Sequence, residues 1–373
     1  MKRKVSIFLS FLMVCTLFGA SFKTNATQTN TKDKFGDGVK LGEVYQSTMA
    51  STTIGAASVF RTASSGISNN AIQSFFINDS EVYICQQFEN INFNGTDYTG
   101  NSILLSRCVI SFDSSRAFSI EDSMLLQNVG SGQTLDMYTY GGATYFLVSC
   151  GAKTDDSGNV WSTEIGRITY QPDTVLDSSH ITRLTDLNYS NKENTSFGET
   201  SRVEAALSSD NTKLLIWKCS QNGSNQFSVY DFAAVNQELS ASAGNTVSFQ
   251  NNTVLKNACD SVFTDPVNMP TRVQGVELSD AVNGVHSIYI SSGNEKEDIP
   301  LMITRYDTNG NLKKQVIVDD SGVWGIYNRG QYTNEIAEIK SVKLAGDKLQ
   351  FLLRDTGHVN RQVISQNDVS RLN

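Results

Sequence analysis

The sequence predicts an all-β protein, a five-bladed β-propeller of antiparallel sheets, and three observations predict it. Short apolar runs of strand length recur along the whole chain, with only 4 prolines against 27 glycines and many Asn, Ser and Thr residues at turns. Five segments share one pattern, an alternating strand, a tight polar turn and a second apolar strand. Matched positions in these segments lie 60, 70, 71 and 66 residues apart, as Gln73, Gln133, Val203, Gln274 and Lys340 show. A repeat of roughly 40–70 residues with three or four antiparallel strands is a propeller blade.

The first hairpins, taken in order, are IQSFFINDSEVYICQQ, SGQTLDMYTYGGATYFLVSCG, RVEAALSSDNTKLLIWKCS, VQGVELSD with the strand after it, and IKSVKLAGDKLQFLLRD. Their turns carry Asn78-Asp79-Ser80, Tyr140-Gly141-Gly142, Ser209-Asp210-Asn211, the longer 280–285 loop and Ala345-Gly346-Asp347, all residues suited to hairpin geometry. Three positions beyond the Gln73 column stands a second one: Phe76, Asp136, Ala206, Glu277 and Lys343. Third strands follow as ILLSRC, TEIGRI, QFSVYD, LMITRY and RQVISQ; Arg107 and Arg167 each lie 34 residues after their Gln, and Arg305 lies 31 after its own. Fourth strands are expected at 123–129, 180–187, 246–250 and 312–318. The last repeat has none before the sequence stops, so an N-terminal strand near ASVFRTA (57–63) is expected to fill that edge and close the ring.

Ahead of the repeats, Lys2, Arg3 and Lys4 precede an apolar run from Val5 to Ala20 and small residues ending at Ala26, the layout of a secretory signal peptide over residues 1–26. Residues 27–56 are rich in Thr, Ser and Asn and read as an exposed arm. Residues 57–373 read as one propeller domain, since blade-to-blade interfaces divide the burial that a single core of this size would strain to supply. No later run is long enough to span a bilayer, so no transmembrane segment is expected in the mature chain.

The formal net charge is −8, and removal of residues 1–26, which hold Lys2, Arg3, Lys4 and Lys23 and no acid, takes it to −12. That balance argues against nucleic acid and against a cationic helix that disrupts membranes. Cys85, Cys108, Cys150, Cys219 and Cys259 are odd in number, widely spaced and free of any CxxC, so neither a disulfide framework nor a zinc site is indicated. His180, His286 and His358 have no ligand spacing, and DTNGN (307–311) lacks the further acids of a calcium loop. No metal or cofactor is expected.

Candidate ligand-binding residues fall in three groups. Asp136 and Glu277 sit in one column and are able to face each other across a narrow channel; a glycan-cleaving pair would need them about 5–10 Å apart around a substrate. Gln73, Gln133 and Gln274 form the other column, and regular pleating places it on the opposite side of the strand, where backbone partners are the commoner fate of a buried Gln. The arginine column reads as a repeated interblade ion pair or a snorkelling stem, with an anion site shared by several blades as the sharper alternative. Trp161 and Trp324 follow the turns DDSGNVW and DDSGVWG and are the aromatic candidates for stacking on sugar, whereas Trp217, inside LLIWKC, reads as core.

The phrases GQTLDMYTY, YFLVSCGA, WSTEIGRITY, RLTDLNYSNK, RVEAALSSDNTKLLIWKC, QFSVYDF, KNAC, QGVELSD and SIYISSGNE, spread over about residues 130–295, resemble the helveticin J family of large, heat-labile bacteriocins. The resemblance implies secretion by a Gram-positive bacterium and inhibition of related bacteria. It supplies no catalytic motif, and the leader and Thr/Ser-rich arm lie outside it. The expected partner is a component or glycan of the bacterial envelope; the alternatives are a non-toxic, lectin-like propeller and a glycan-cleaving enzyme.

Overall fold

The computed structural model describes residues 34–35, 44–47, 70–78, 81–110, 117–294, 299–318, 337–355 and 362–372, all within one compact unit, Asp33–Asn373. Two short strands come first, β1 (Lys34–Phe35) and β2 (Val44–Ser47). The first blade is a meander of β3 (Ile72–Asn78), β4 (Glu81–Phe93), β5 (Thr96–Ile110) and β6 (Ala117–Gln127). The second joins β7 (Leu135–Tyr140), β8 (Ala143–Thr154) and β9 (Val160–Ile168) to β11 (Thr182–Thr185), while β10 (Val175–Asp177) pairs back onto β6.

In the third blade, β12 (Thr200–Leu207), β13 (Lys213–Ser220) and β14 (Asn225–Asp231) run on into helix α1 (Phe232–Ala241). Then come β15 (Thr246–Ser248), helix α2 (Thr253–Asn257) and the fourth strand of the blade, β16 (Cys259–Thr264). Strand β15 was expected to finish this blade. It pairs instead with β11 of the second blade. The reason is local: Asp231 caps α1 by accepting the Ala234 N–H, and Phe232, Val235 and Leu239 present a buried helical stripe. The chain is thereby carried outward before it can return as β16.

The fourth blade is β17 (Val273–Leu278), β18 (Ser287–Asn294), β19 (Ile299–Asp307) and β20 (Leu312–Val318). The last repeat is a three-stranded meander, β21 (Ala337–Ala345), β22 (Lys348–Asp355) and β23 (Gln362–Asp368). The arrangement is a propeller of four blades, not five. The fifth repeat has no fourth strand of its own, and it merges with the first and fourth blades in one 14-stranded sheet. On one side Asn294 pairs with Glu338; on the other, β2 lies between β23 and β6, antiparallel to the former and parallel to the latter.

Within the stretch read as an arm, Lys34–Phe35 and Val44–Ser47 therefore form strands. The strand expected to close the ring, 57–63, lies outside the described residues, and β2 covers the β23 edge in its place.

Apolar side chains join each unit to the next around a complete circle. Leu105 and Leu126 of the first blade pack with Leu135 and Phe146 of the second. Leu147 and Ile165 meet Val203 and Ile216 of the third. Leu215 and Phe227 meet Leu278 and Ile290 of the fourth. Ile303 then meets Val342 and Phe351 of the last meander, whose Leu352 and Ile364 close on Phe75 and Ile84 of the first blade. Each such fully buried side chain contributes about 1.5–3 kcal/mol. The first strands of all five repeats consequently stand next to one another at the centre.

Candidate functional site

Regular pleating would forbid the glutamine column and the acidic column from facing the same way. The first strands are not regular. The register against the second strand slips between Ile72 and Ser74, between Val273 and Gly275, and between Ile339 and Ser341. The residue left over at each slip is Gln73, Gln274 or Lys340. A bulge of this kind adds one residue to the strand and re-aims its side chain, so both columns reach the ring interior, at different depths.

The upper level is a cavity of about 1060 Å³ at the starting ends of the first strands, and Gln73, Gln133, Gln274, Lys340 and Trp161 all line it. Four of the residues singled out in the sequence are thus brought to one place. Their expected backbone partners are absent for two of them: among the described residues no hydrogen bond is made by the side chains of Gln73 and Gln274. Gln133 accepts one from Ser131 Oγ at 3.2 Å. Asn101 is committed, bonding both the N–H and the carbonyl of Gly130 at 2.6 and 3.0 Å.

Trp161 is held by the turn that precedes it. Asp155 opens a tight loop, accepting the N–H groups of Ser157 and Asn159 at 2.9 Å, and it accepts the indole N–H of Trp161 at 2.8 Å. The indole bond holds the Asp155 carboxyl below its usual range. The guanidinium of Arg202 stacks on the Trp161 ring at 4.4 Å and on Trp217 at 5.0 Å. It also donates to the carbonyl of Val273 at 2.9 Å and pairs with buried Glu204. The tryptophan is therefore a fixed wall of the cavity. Trp217 is core, 2% exposed. Trp324 lies outside the described residues.

Three positions further along the same strands, about 10 Å, is the second level. Lys343 Nζ lies 2.5 Å from Asp136 Oδ1 and 3.1 Å from Glu277 Oε2. Asp136 also accepts the N–H of Leu207, at 3.0 Å, and Glu277 that of Leu344, at 3.4 Å. Leu207 and Leu344 each follow a residue of the same column, Ala206 and Lys343, so the two carboxylates make repeat-equivalent bonds to the next unit's first strand. Both are 2% exposed. Burial pushes the Glu277 carboxyl up to about 8, with Lys343 opposing the rise and Asp136 adding to it. Burial raises Asp136 as well, against Lys343. Lys343 is itself desolvated, yet the two carboxylates hold its ammonium well above the ordinary lysine range. Lys343 is thus ion-paired with Asp136 and lies within reach of Glu277, whose carboxyl burial biases toward its protonated form. An ammonium between two carboxyls leaves no place for a bond to be cleaved between them.

Lys343 and Arg202 were missed in the sequence. Lys343 was visible, as the one base in a column with two acids; Arg202 had no such signal. The arginine column does not behave as a unit. Arg107 pairs with Glu81 and Asp122 of its own blade, Arg167 bonds Asn236, Ser240 and the Leu239 carbonyl at the end of α1, and Arg305 bonds the Leu372 carbonyl. The three thus share no common kind of partner. Among the described residues no group of three or more His, Cys, Asp or Glu is placed to hold a metal ion.

A family model described as bacteriocin helveticin-J matches residues 67–370. No curated protein matches significantly. Similar solved structures include a glycosyl hydrolase from Bacteroides ovatus, at 10% identity and TM-score 0.40, covering 81% of this chain and 85% of that one. Others are the mannose phosphorylase MPT-4 from Leishmania mexicana, at 8% identity, TM-score 0.42 and coverages of 91% and 92%, and an α-L-arabinofuranosidase from Lactobacillus brevis, at 10% identity, TM-score 0.40 and coverages of 80% and 90%. At these values the likeness carries nothing about activity.

Proposed function

The chain belongs to the bacteriocin helveticin-J family, and from that membership we propose that it is a secreted protein that inhibits related Gram-positive bacteria after docking on a component of their envelope through the cavity of Gln73, Gln133 and Gln274. One observation carries the docking site: three glutamines at repeat-equivalent positions converge on one cavity, two of them with uncommitted amides. A protein that needed them only for stability would bond them internally, because an unpaired polar group gains nothing by partial burial. The remote spacing of the three along the chain makes the cavity a product of the ring, so it exists only in the folded protein.

Cleavage of a glycan by Asp136 and Glu277 is not favoured, since Lys343 neutralises them in a buried cluster. Binding without inhibition remains the second reading, because the same amides serve it equally.

The test is to add purified protein to a panel of related Gram-positive strains and to score adhesion and growth. Adhesion and inhibition are expected for at least some strains, with adhesion lost in the Gln73→Ala/Gln133→Ala/Gln274→Ala variant. Adhesion without any growth effect would select the lectin-like reading. Absence of both across the panel would falsify the proposal.

A further inference from the structure

We infer that the ligand of this cavity is an uncharged, acetamido-bearing glycan of several sugar units; the inference rests on the docking role proposed above and narrows its chemistry. Size is the first argument. A cavity of about 1060 Å³ lies just above the range for small-molecule sites, roughly 300–1,000 Å³, which suits an oligosaccharide better than a single sugar.

Charge is the second. Of the lining residues only Glu89 and Lys340 are formally charged, and Lys340 is ion-paired with Glu338 at 2.9 Å. A phosphate-linked polymer is recognised by arginine or lysine groups free to engage it. Here the one lysine is already engaged by Glu338, the other charged lining residue is the acid Glu89, and the whole chain carries a net charge of −8. A polyanion would be repelled.

The third argument separates acetamido sugars from plain hydroxyl sugars. Carboxylates, which accept strong charge-assisted bonds, are the natural partners of sugar hydroxyls. The polar lining of this cavity is an exposed Glu89, the ion-paired Lys340, the hydroxyls of Ser131 and Thr154, and side-chain amides, among them Gln73, Gln133 and Gln274. Each amide carries a donor and an acceptor in one plane. An acetamido group presents its N–H and its C=O on opposite sides, so two amides reaching the cavity from different strands accept the one and donate to the other, whereas a hydroxyl in its place gathers both contacts at a single oxygen. Phe88 and the fixed indole of Trp161 supply apolar surface in the same cavity for the acetyl methyl.

The experiment is titration calorimetry of the purified protein with three probes: tetra-N-acetylchitotetraose, cellotetraose and poly(glycerol phosphate). The first two differ in the C2 acetamido groups alone. The chito-oligosaccharide is expected to bind at least tenfold more tightly than cellotetraose, and the polyphosphate not at all. Gln73→Ala and Gln274→Ala, with unchanged melting temperatures, are each expected to weaken binding about three- to tenfold, as befits one or two lost hydrogen bonds. Equal binding of cellotetraose, preference for the polyphosphate, or indifference to both glutamine variants would each overturn the inference. If no probe binds while the glutamine variants still abolish adhesion to cells, the glycan class is wrong and the docking site stands. If adhesion is also absent, both fail.

Discussion

Lys343 Nζ and Asp136 Oδ1 lie 2.5 Å apart although 207 residues separate them in the chain. The pair ties the last meander to the second blade across the ring, and Glu277 of the fourth blade completes the contact. Removing the base should therefore be costly. Lys343→Met leaves the Asp136 charge buried and unpaired, and a loss of about 3–5 kcal/mol in unfolding free energy is expected. The triple variant Asp136→Asn/Glu277→Gln/Lys343→Met removes every charge and should recover most of that loss. Denaturant unfolding of both variants measures it; equal destabilisation by the two would show that packing, and not charge, is what the cluster supplies.

The same cluster predicts a pH dependence. The folded-state pKa of Glu277, about 8, lies above its ordinary value of 4.5. The folded protein thus binds a proton that the unfolded chain has released, so this contribution is fully present below about pH 4.5 and is lost as pH rises to about 8. Glu277→Gln keeps the neutral form at every pH. The difference in stability, variant minus wild type, should rise between pH 5 and 8 and level off above. A flat difference in thermal unfolding across that window would mean that Glu277 is ionised in the folded state.

Both columns of the site are legible as columns in the sequence, because the repeat spacing aligns Gln73 with Gln274 and Asp136 with Glu277. What the alignment hid was that both face inward. Strict alternation of side chains excluded it, and the bulges at Gln73, Gln274 and Lys340 that lift the exclusion have no residue signature, since they reflect how two strands pair. The blade count failed for a related reason. Strand β2 is four polar or mixed residues, VYQS, in a Thr- and Ser-rich stretch, and its hydrogen bonds come wholly from edges that other segments leave open. Helices α1 and α2 were missed where TVSFQ offered a strand of plausible length. The caps at Asp231 and Asn252 were the signals to read.

Lys218 offers an independent check on how the core is built. It is fully buried on β13, and its amine donates to the Ser190 carbonyl at 2.7 Å and to Ser190 Oγ at 2.6 Å, with the ring of Phe197 at 5.8 Å. Burial pushes its pKa down to about 7. The unfolded chain therefore holds a proton that the folded state has lost between about pH 7 and 10.5, so this residue's contribution to stability rises as pH rises through that range. Lys218→Met should remove the slope: the wild type is expected to gain stability relative to the variant from pH 7 to 10. A constant difference between the two over that range would show that the amine stays protonated in place.

Segment 34–47 supplies the last prediction. Strand β1 pairs with β20 at Lys34↔Ile317 and Phe35↔Val318, and β2 pairs with β23 from Val44↔Ser365 to Ser47↔Gln362 while also meeting β6 at Ala117 and Phe118. It therefore bonds to the fourth blade, the last meander and the first blade in turn, sharing the β6 edge with β10, which pairs further along it. An open edge both loses ladder hydrogen bonds, about 0.5–1.5 kcal/mol each, and templates pairing with another copy. A chain beginning at residue 48 is expected to melt several degrees lower and to aggregate at concentrations where the longer chain stays monomeric. A chain beginning at residue 27 should match full stability. Thermal unfolding and light scattering of the two read this directly, and equal melting temperatures would show that the seam between first and last repeats holds without the strap.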